Sequence, residues 1–155
     1  MKIIQVMPAF GLGGAEIMCE NLTYALRNLG HDVIVVSMYD YYSAITERME
    51  NAGIDIRYLG KKRGLDISMI GKMRRIFMEE KPEVIHTHLY TMKYAIPAAI
   101  LSGVKKRIHT IHSVAQKENG PAARRLNKLF YKVANVVPVA LSETVQETIE
   151  KEYRI

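Results

Sequence analysis

The chain of 155 residues has no tryptophan, a single cysteine and no apolar run approaching the ~20 residues that a membrane span requires. One cysteine, Cys19, excludes an intramolecular disulfide, and its place within a helical pattern reads as a small core residue. Met1-Lys2 leads straight into a strand pattern, so neither a signal peptide nor an oxidising compartment is expected, and a cytosolic protein is. Aromatic residues are not interleaved with the basic ones, which leaves a base-stacking platform, and so a nucleic-acid partner, unsupported. No acid falls between Gln5 and Phe10, where a receiver domain would cluster them. The only Gly-Lys pair, Gly71-Lys72, is followed by Met73 and fails as a phosphate-binding P-loop. Repeats, low-complexity segments and linkers are also absent, and the length suits one domain.

What is present is an ordinary globular composition, 48% hydrophobic and 25% charged, with a net charge of +6 that is unevenly placed. Lys61, Lys62, Arg63, Lys72, Arg74 and Arg75 stand against Asp66 alone, and eight Lys or Arg against Glu118 alone between Lys105 and Lys132. Such clusters are either solvated faces or sites for phosphorylated ligands or anionic lipid.

The most informative stretch runs from Val6 to Glu16. An apolar run, Ile3 to Met7, is followed by Pro8, by Gly11, Gly13 and Gly14, and by helical periodicity from Ala15 to Leu29. Strand, glycine loop and helix open a doubly wound α/β domain. Glycine admits φ > 0 and close approach of a ligand, and the helix start offers unpaired N–H groups to a phosphate. The dinucleotide fingerprint is incomplete, because Glu16 stands where the third glycine belongs. A turn that merely needs glycine and an anion-binding loop both fit.

Further along, strands are expected over Val33–Met38, Ile54–Leu59, Val84–His88, Arg107–His112 and Val136–Leu141. The alternation of Ile54, Ile56 and Tyr58 with Asp55, Arg57 and Leu59 places the second of these at a sheet edge. Helices are expected over Tyr41–Ala52, Asp66–Glu80, Met92–Leu101, Ala122–Ala134 and Ser142–Tyr153. Ile67, Ile70, Met73, Ile76 and Phe77 make the inward stripe of one, and Leu126, Leu129, Phe130 and Val133 that of another. Ser142 or Thr144 would cap the last, Thr144 with Glu147 at capping-box spacing. This alternation predicts a Rossmann-like, doubly wound parallel sheet covered on both faces, with ligands beyond the carboxyl ends of its strands.

Four of the five histidines, His86, His88, His109 and His112, fall at or near those strand ends. A zinc site from His86, His88 and a later histidine is conceivable, but no carboxylate or cysteine joins them, so hydrogen-bonded cleft histidines and no metal are the expectation. His112, followed by Ser113, is the best placed to touch a ligand.

Gly13-Gly-Ala-Glu16, Pro82-Glu-Val-Ile-His-Thr-His88, Thr110-Ile-His-Ser113 and Val139-Ala-Leu-Ser-Glu143 occur in this order and at these spacings over essentially the whole chain. Together they resemble the N-terminal half of a retaining glycosyltransferase of the GT-B family that uses nucleotide sugars. The resemblance implies two Rossmann-like domains facing a cleft, the N-terminal one holding the acceptor. It implies that Gly13, Gly14 and Ser142 approach the donor, that His112 lies beside the transferred sugar, and that His88, Ser113 and Lys117 face the acceptor. No cofactor or metal is implied, because the nucleotide sugar is a substrate and its phosphate guides the incoming hydroxyl. A glycan or lipid-linked acceptor of cell-envelope or polysaccharide biosynthesis, peripheral contact with anionic membrane at its inner face and self-association through an exposed cleft face are the remaining expectations. The family's second, nucleotide-sugar domain has no counterpart in these residues, so they are expected to fold alone and to transfer no sugar. Two other readings stay open: a Rossmann oxidoreductase with Asp40 as the ribose-binding acid, and a non-enzymatic α/β scaffold.

Overall fold

The computed structural model describes residues 1–155. Strands β1 (Lys2–Met7), β2 (Asp32–Ser37), β3 (Asp55–Tyr58), β4 (Val84–His88), β5 (Lys106–Ile111) and β6 (Val136–Ala140) form one sheet in the order β3-β2-β1-β4-β5-β6. Every neighbouring pair is parallel. The helices are α1 (Gly14–Asn28), α2 (Ala44–Asn51), α3 (Ser68–Glu80), α4 (Met92–Leu101), α5 (Ala115–Glu118), α6 (Pro121–Val133) and α7 (Glu143–Tyr153), with a 3-10 turn over Leu89–Thr91. The Rossmann-like α/β expectation holds, with β3 at an edge. No helix is long and apolar enough to cross a membrane.

Parallel crossovers are right-handed. Winding outward from β1 to β3 therefore lays α1 and α2 on one face, where Cys19, Ile45 and Met49 pack on Met7 and Val35. The chain then returns past β1 to β4, and later crossovers fall on the opposite face. There α3 and α4 cover Ile4, Val6, Ile34, Val36 and Ile85 through Met73, Phe77, Tyr94 and Ala98. Farther along the same face α6 and α7 cover Ile111 and Val136.

One consequence corrects the expected two-sided cover. On the α1 face no helix lies over β5 and β6. Ile3, Val84, Ile108, Val139 and Leu141 line an apolar groove of about 450 Å³ there, with Leu22 of α1 in its wall. Val137, Val139 and Leu141 are 58%, 36% and 51% exposed. This exposed apolar surface lies on a sheet face, apart from the crevice beyond the strand ends.

Local corrections have equally plain causes. α6 turns Asn127, Phe130, Tyr131 and Ala134 inward and leaves Leu129 and Val133 exposed beside Arg125 and Lys132. Ile67 is exposed because Ser68 opens α3; the Asp66 carboxylate accepts the Ser68 N–H at 3.1 Å. Leu59, expected on the solvated side of the edge strand, is buried with the α3–α4 layer. Two members of the first basic cluster are spent internally. Lys61 is buried, its Nζ donating to the Lys62 carbonyl at 2.8 Å and to the Tyr39 hydroxyl at 3.2 Å, and Lys72 Nζ donates to the Leu59 carbonyl at 2.7 Å.

Candidate functional site

The order of the sheet reverses between β1 and β4, and the crevice beyond their carboxyl ends is where an open α/β sheet takes a ligand. The glycine loop leaves β1 there. Gly13 is the N-cap of α1 in extended conformation, with no side-chain cap, so the first N–H groups of the helix are left for another partner. None of Gly11, Gly13 and Gly14 has positive φ, so left-handed backbone is not why glycine stands here. A Cβ on Gly13 would lie 2.5 Å from the mobile end of the Glu16 side chain, which would have to swing aside, whereas one on Gly14 would meet nothing within 4 Å. Glu16 folds back over the loop, its charge suited to the helix start.

β4 ends in His88, which is fully buried and whose ring is held at both nitrogens. Nδ1 is 3.0 Å from His112 Nε2, and Nε2 is 3.0 Å from Gln5 Oε1. Parallel pairing of β4 with β5 sets His88 beside Thr110, so the residue following β5 reaches its ring. Gln5 is fully buried in β1, its amide nitrogen 2.6 Å from the Thr23 hydroxyl of α1. Thr91 locks the turn behind His88, accepting the His88 N–H at 3.2 Å. Leu89, between them, has φ of +53°, a left-handed backbone that a leucine adopts only when its surroundings hold it.

His112 is partly exposed, and its backbone N–H donates to Glu118 Oε1 at 3.2 Å. Burial pushes the Glu118 carboxyl up to about 7. Burial pulls the imidazoles the other way, His86 to about 4 and His109 to about 3, with His88 well below and His112 below the usual range. The histidines are therefore neutral near pH 7.

The four imidazoles do not converge on a metal. His86 Nε2 is 2.7 Å from the Thr110 hydroxyl, and His109 points to the other sheet face, 2.9 Å from the Thr87 hydroxyl. No group of three or more His, Cys, Asp or Glu is arranged to hold an ion.

The structure thus brings His88 and His112 together at the carboxyl ends of β4 and β5, with Ser113 partly exposed and Lys117 exposed on α5. His88 has no free ring nitrogen with which to meet an acceptor molecule. Ser142 stands apart, about 14 Å from the β1 end by three strand spacings. Its hydroxyl caps α7, accepting the Val145 N–H at 3.2 Å, so Ser142 and not Thr144 is the cap. Asp40 is also engaged, accepting the Gly60 N–H at 2.8 Å. Sequence reasoning missed Gln5, Thr23, Thr91 and Glu118. A lone amide inside the run Ile3–Met7 and a lone acid in a basic stretch were the available signals.

Comparison with known proteins agrees with this fold. A glycosyltransferase from Rickettsia africae superposes with a TM-score of 0.80 at 18% identity, over 99% of this chain and 40% of its own. HepE from Anabaena, solved with UDP and glucose, gives a TM-score of 0.77 at 15% identity over 98% of this chain and 41% of its own. The UDP-GlcNAc 2-epimerase of Methanocaldococcus jannaschii gives 0.65 at 16% identity over 98% and 42%, so the fold alone does not separate transfer from epimerisation. The chain spans about two fifths of the length of these structures. No curated protein matches it in sequence. The sequence profile of Glycosyltransferase Family 4, however, matches residues 12–155, and the chain belongs to that family.

Proposed function

We propose that residues 1–155 form the acceptor-side wall of a retaining glycosyltransferase that moves a sugar from a nucleotide-sugar donor to a glycan or lipid-linked acceptor of envelope or polysaccharide assembly. One juxtaposition carries the reading. An uncapped helix start with a bare Gly14 follows β1 on one side of the strand-order reversal, and His112, the partly exposed end of a buried polar chain, follows β5 on the other. The α1 N–H groups would take donor diphosphate oxygens, which the missing Cβ of Gly14 lets approach. His112 would hold a sugar hydroxyl, and Ser113 and Lys117 would meet the acceptor. Ser142 still has a hydroxyl proton to give to the donor, since its cap uses only an acceptor lone pair. The donor phosphate would guide the incoming hydroxyl, with no protein nucleophile. HepE, of the same fold, was solved with UDP-glucose, which supports a nucleotide-sugar donor.

NMR titration of residues 1–155 with UDP-glucose and GDP-mannose tests this. Weak, millimolar binding that moves the Gly13, Gly14 and His112 signals, with neither transfer nor donor hydrolysis, is expected. One wall of a cleft neither excludes water nor fixes both substrates. Shifts confined to other surfaces would remove the site, and micromolar binding or turnover would overturn the one-wall reading.

A lipid-linked acceptor is favoured by the surface chemistry. Leu65 and Ile67 are 75% and 73% exposed next to Lys62 and Arg63, whose side chains make no salt bridge. Leu129 and Val133 of α6 repeat that mixture beside Arg125 and Lys132. Apolar side chains set among cations suit an anionic bilayer surface, at about 1 kcal/mol per basic residue near it. Co-sedimentation with anionic vesicles at low salt is the expected outcome, and equal binding to neutral vesicles would sink the membrane contact.

A further inference from the structure

We propose that Gln5 sets the tautomer of His112 through His88, so that His112 presents a bare Nδ1 acceptor to a sugar hydroxyl. The hydroxyl part rests on the function proposed above; the tautomer part does not.

The deduction starts at Thr23. Its hydroxyl proton goes to the Cys19 carbonyl, 2.7 Å away. A hydroxyl has one proton, so towards Gln5, at 2.6 Å, the Thr23 oxygen can only accept. The Cys19 carbonyl, 3.4 Å from the same amide nitrogen, also only accepts. Turning the amide over would set its oxygen against two acceptors and its NH₂ against His88. The network therefore fixes the Gln5 oxygen towards His88, and that oxygen only accepts. His88 Nε2, at 3.0 Å, must carry the proton.

A neutral imidazole has one N–H. His88 Nδ1 is then a lone pair, and His112 Nε2, 3.0 Å from it, must donate. The proton of His112 is thereby spent inward, and its Nδ1 is left as a lone pair. That nitrogen has no protein partner and is not among the buried unpaired polar atoms, so it reaches solvent. A doubly protonated His88 would reverse the last bond. It would also be a cation in a fully buried site whose titratable neighbours are His86, His109 and His112, with no carboxylate.

Gln5 is thus a positioning residue. It lies 83 residues from His88 in sequence and touches no ligand. Its effect is selective, because a bare Nδ1 takes a hydroxyl that donates, whereas an Nδ1–H would require an acceptor.

Long-range ¹H–¹⁵N correlation of ¹⁵N-histidine-labelled residues 1–155 at neutral pH reads the tautomers directly. His88 and His112 should each show a protonated Nε2 and a pyridine-type Nδ1. A protonated or averaged Nδ1 at His112 would overturn the proposal with no variant needed. Gln5→Met keeps the volume and removes the acceptor, and should move His112 to a mixture with a substantial Nδ1–H population. Thr23→Val, which frees the amide to turn, should do so in part, and Thr23→Ser should restore the native pattern. A folded Gln5→Met protein that keeps pure Nε2–H at His112 would remove Gln5 as the determinant. Addition of UDP-glucose should then shift His112 Nδ1 without changing the tautomer. If the tautomers are as expected and UDP-glucose moves nothing at His112, the donor reading fails while the tautomer assignment stands.

Discussion

The two halves of the sheet are built from the same kind of strand and end differently. β1 and β2 are packed on both faces, by α1 and α2 on one side and by α3 and α4 on the other. β5 and β6 are packed on one face only, by α4, α6 and α7. Val139 and Leu141 are no less apolar than Ile34 or Val36, yet they line an open groove, and Val137 is 58% exposed. Burial is thus decided by where crossovers can go, and apolar character alone does not bring a covering helix.

The largest effect that separates the halves is on stability. Phe77→Ala removes a buried ring from between α3 and the sheet and should cost ~3–5 kcal/mol in chemical denaturation. Leu141→Ala, on the open face, should stay within ~0.5 kcal/mol. Comparable losses would mean that the groove is covered in solution.

Acid should come next, acting at the seam between the halves. His86 and His109 have folded pKa values of about 4 and 3, below the unfolded ~6.5, so the unfolded chain binds more protons in that window. Stability is full above pH ~6.5 and should fall on acidification towards about 4. Glu118, raised to about 7, works in the opposite sense: its contribution is full below its unfolded pKa and is lost as pH rises through about 7. Glu118→Gln should flatten that neutral-side loss and leave the acid limb intact, in melting curves taken across pH 4 to 8. An unchanged neutral limb would place Glu118 in water rather than under His112.

The smallest effect concerns association. An open apolar groove flanked by exposed β6 side chains should promote weak, concentration-dependent self-association. Val139→Glu with Leu141→Glu should abolish it in sedimentation velocity, whereas substitutions at the crevice rim, such as Leu12→Glu, should not. The reverse pattern would return the contact to the cleft.

Much of this was legible residue by residue. Ile3–Met7 and Val33–Met38 read as strands because buried parallel strands are nearly continuous apolar runs. The failures share a cause. Leu129 and Val133 stand at helical spacing with Leu126, but α6 packs through Phe130, as expected, and through Tyr131, whose ring lies 4.9 Å from that of Tyr153 on α7. Lys61 looked like surface charge because a sequence does not show three oxygens closing around its ammonium. Of the two reasons for glycine in this loop, positive φ does not apply to Gly11, Gly13 or Gly14, and open space in front of Gly14 fits the other, close approach.

The sequence by itself determined the alternation of strand and helix, the parallel sheet and the family, because those rest on local periodicity and on motifs a few residues long. The tertiary structure alone decided the site's inner workings. His88 meets His112 across 24 residues and Gln5 across 83, contacts that exist only once β1, β4 and β5 lie side by side in register. It also decided which face stays open, since the handedness of a crossover belongs to the path of the backbone and leaves no mark on the residues that line the groove.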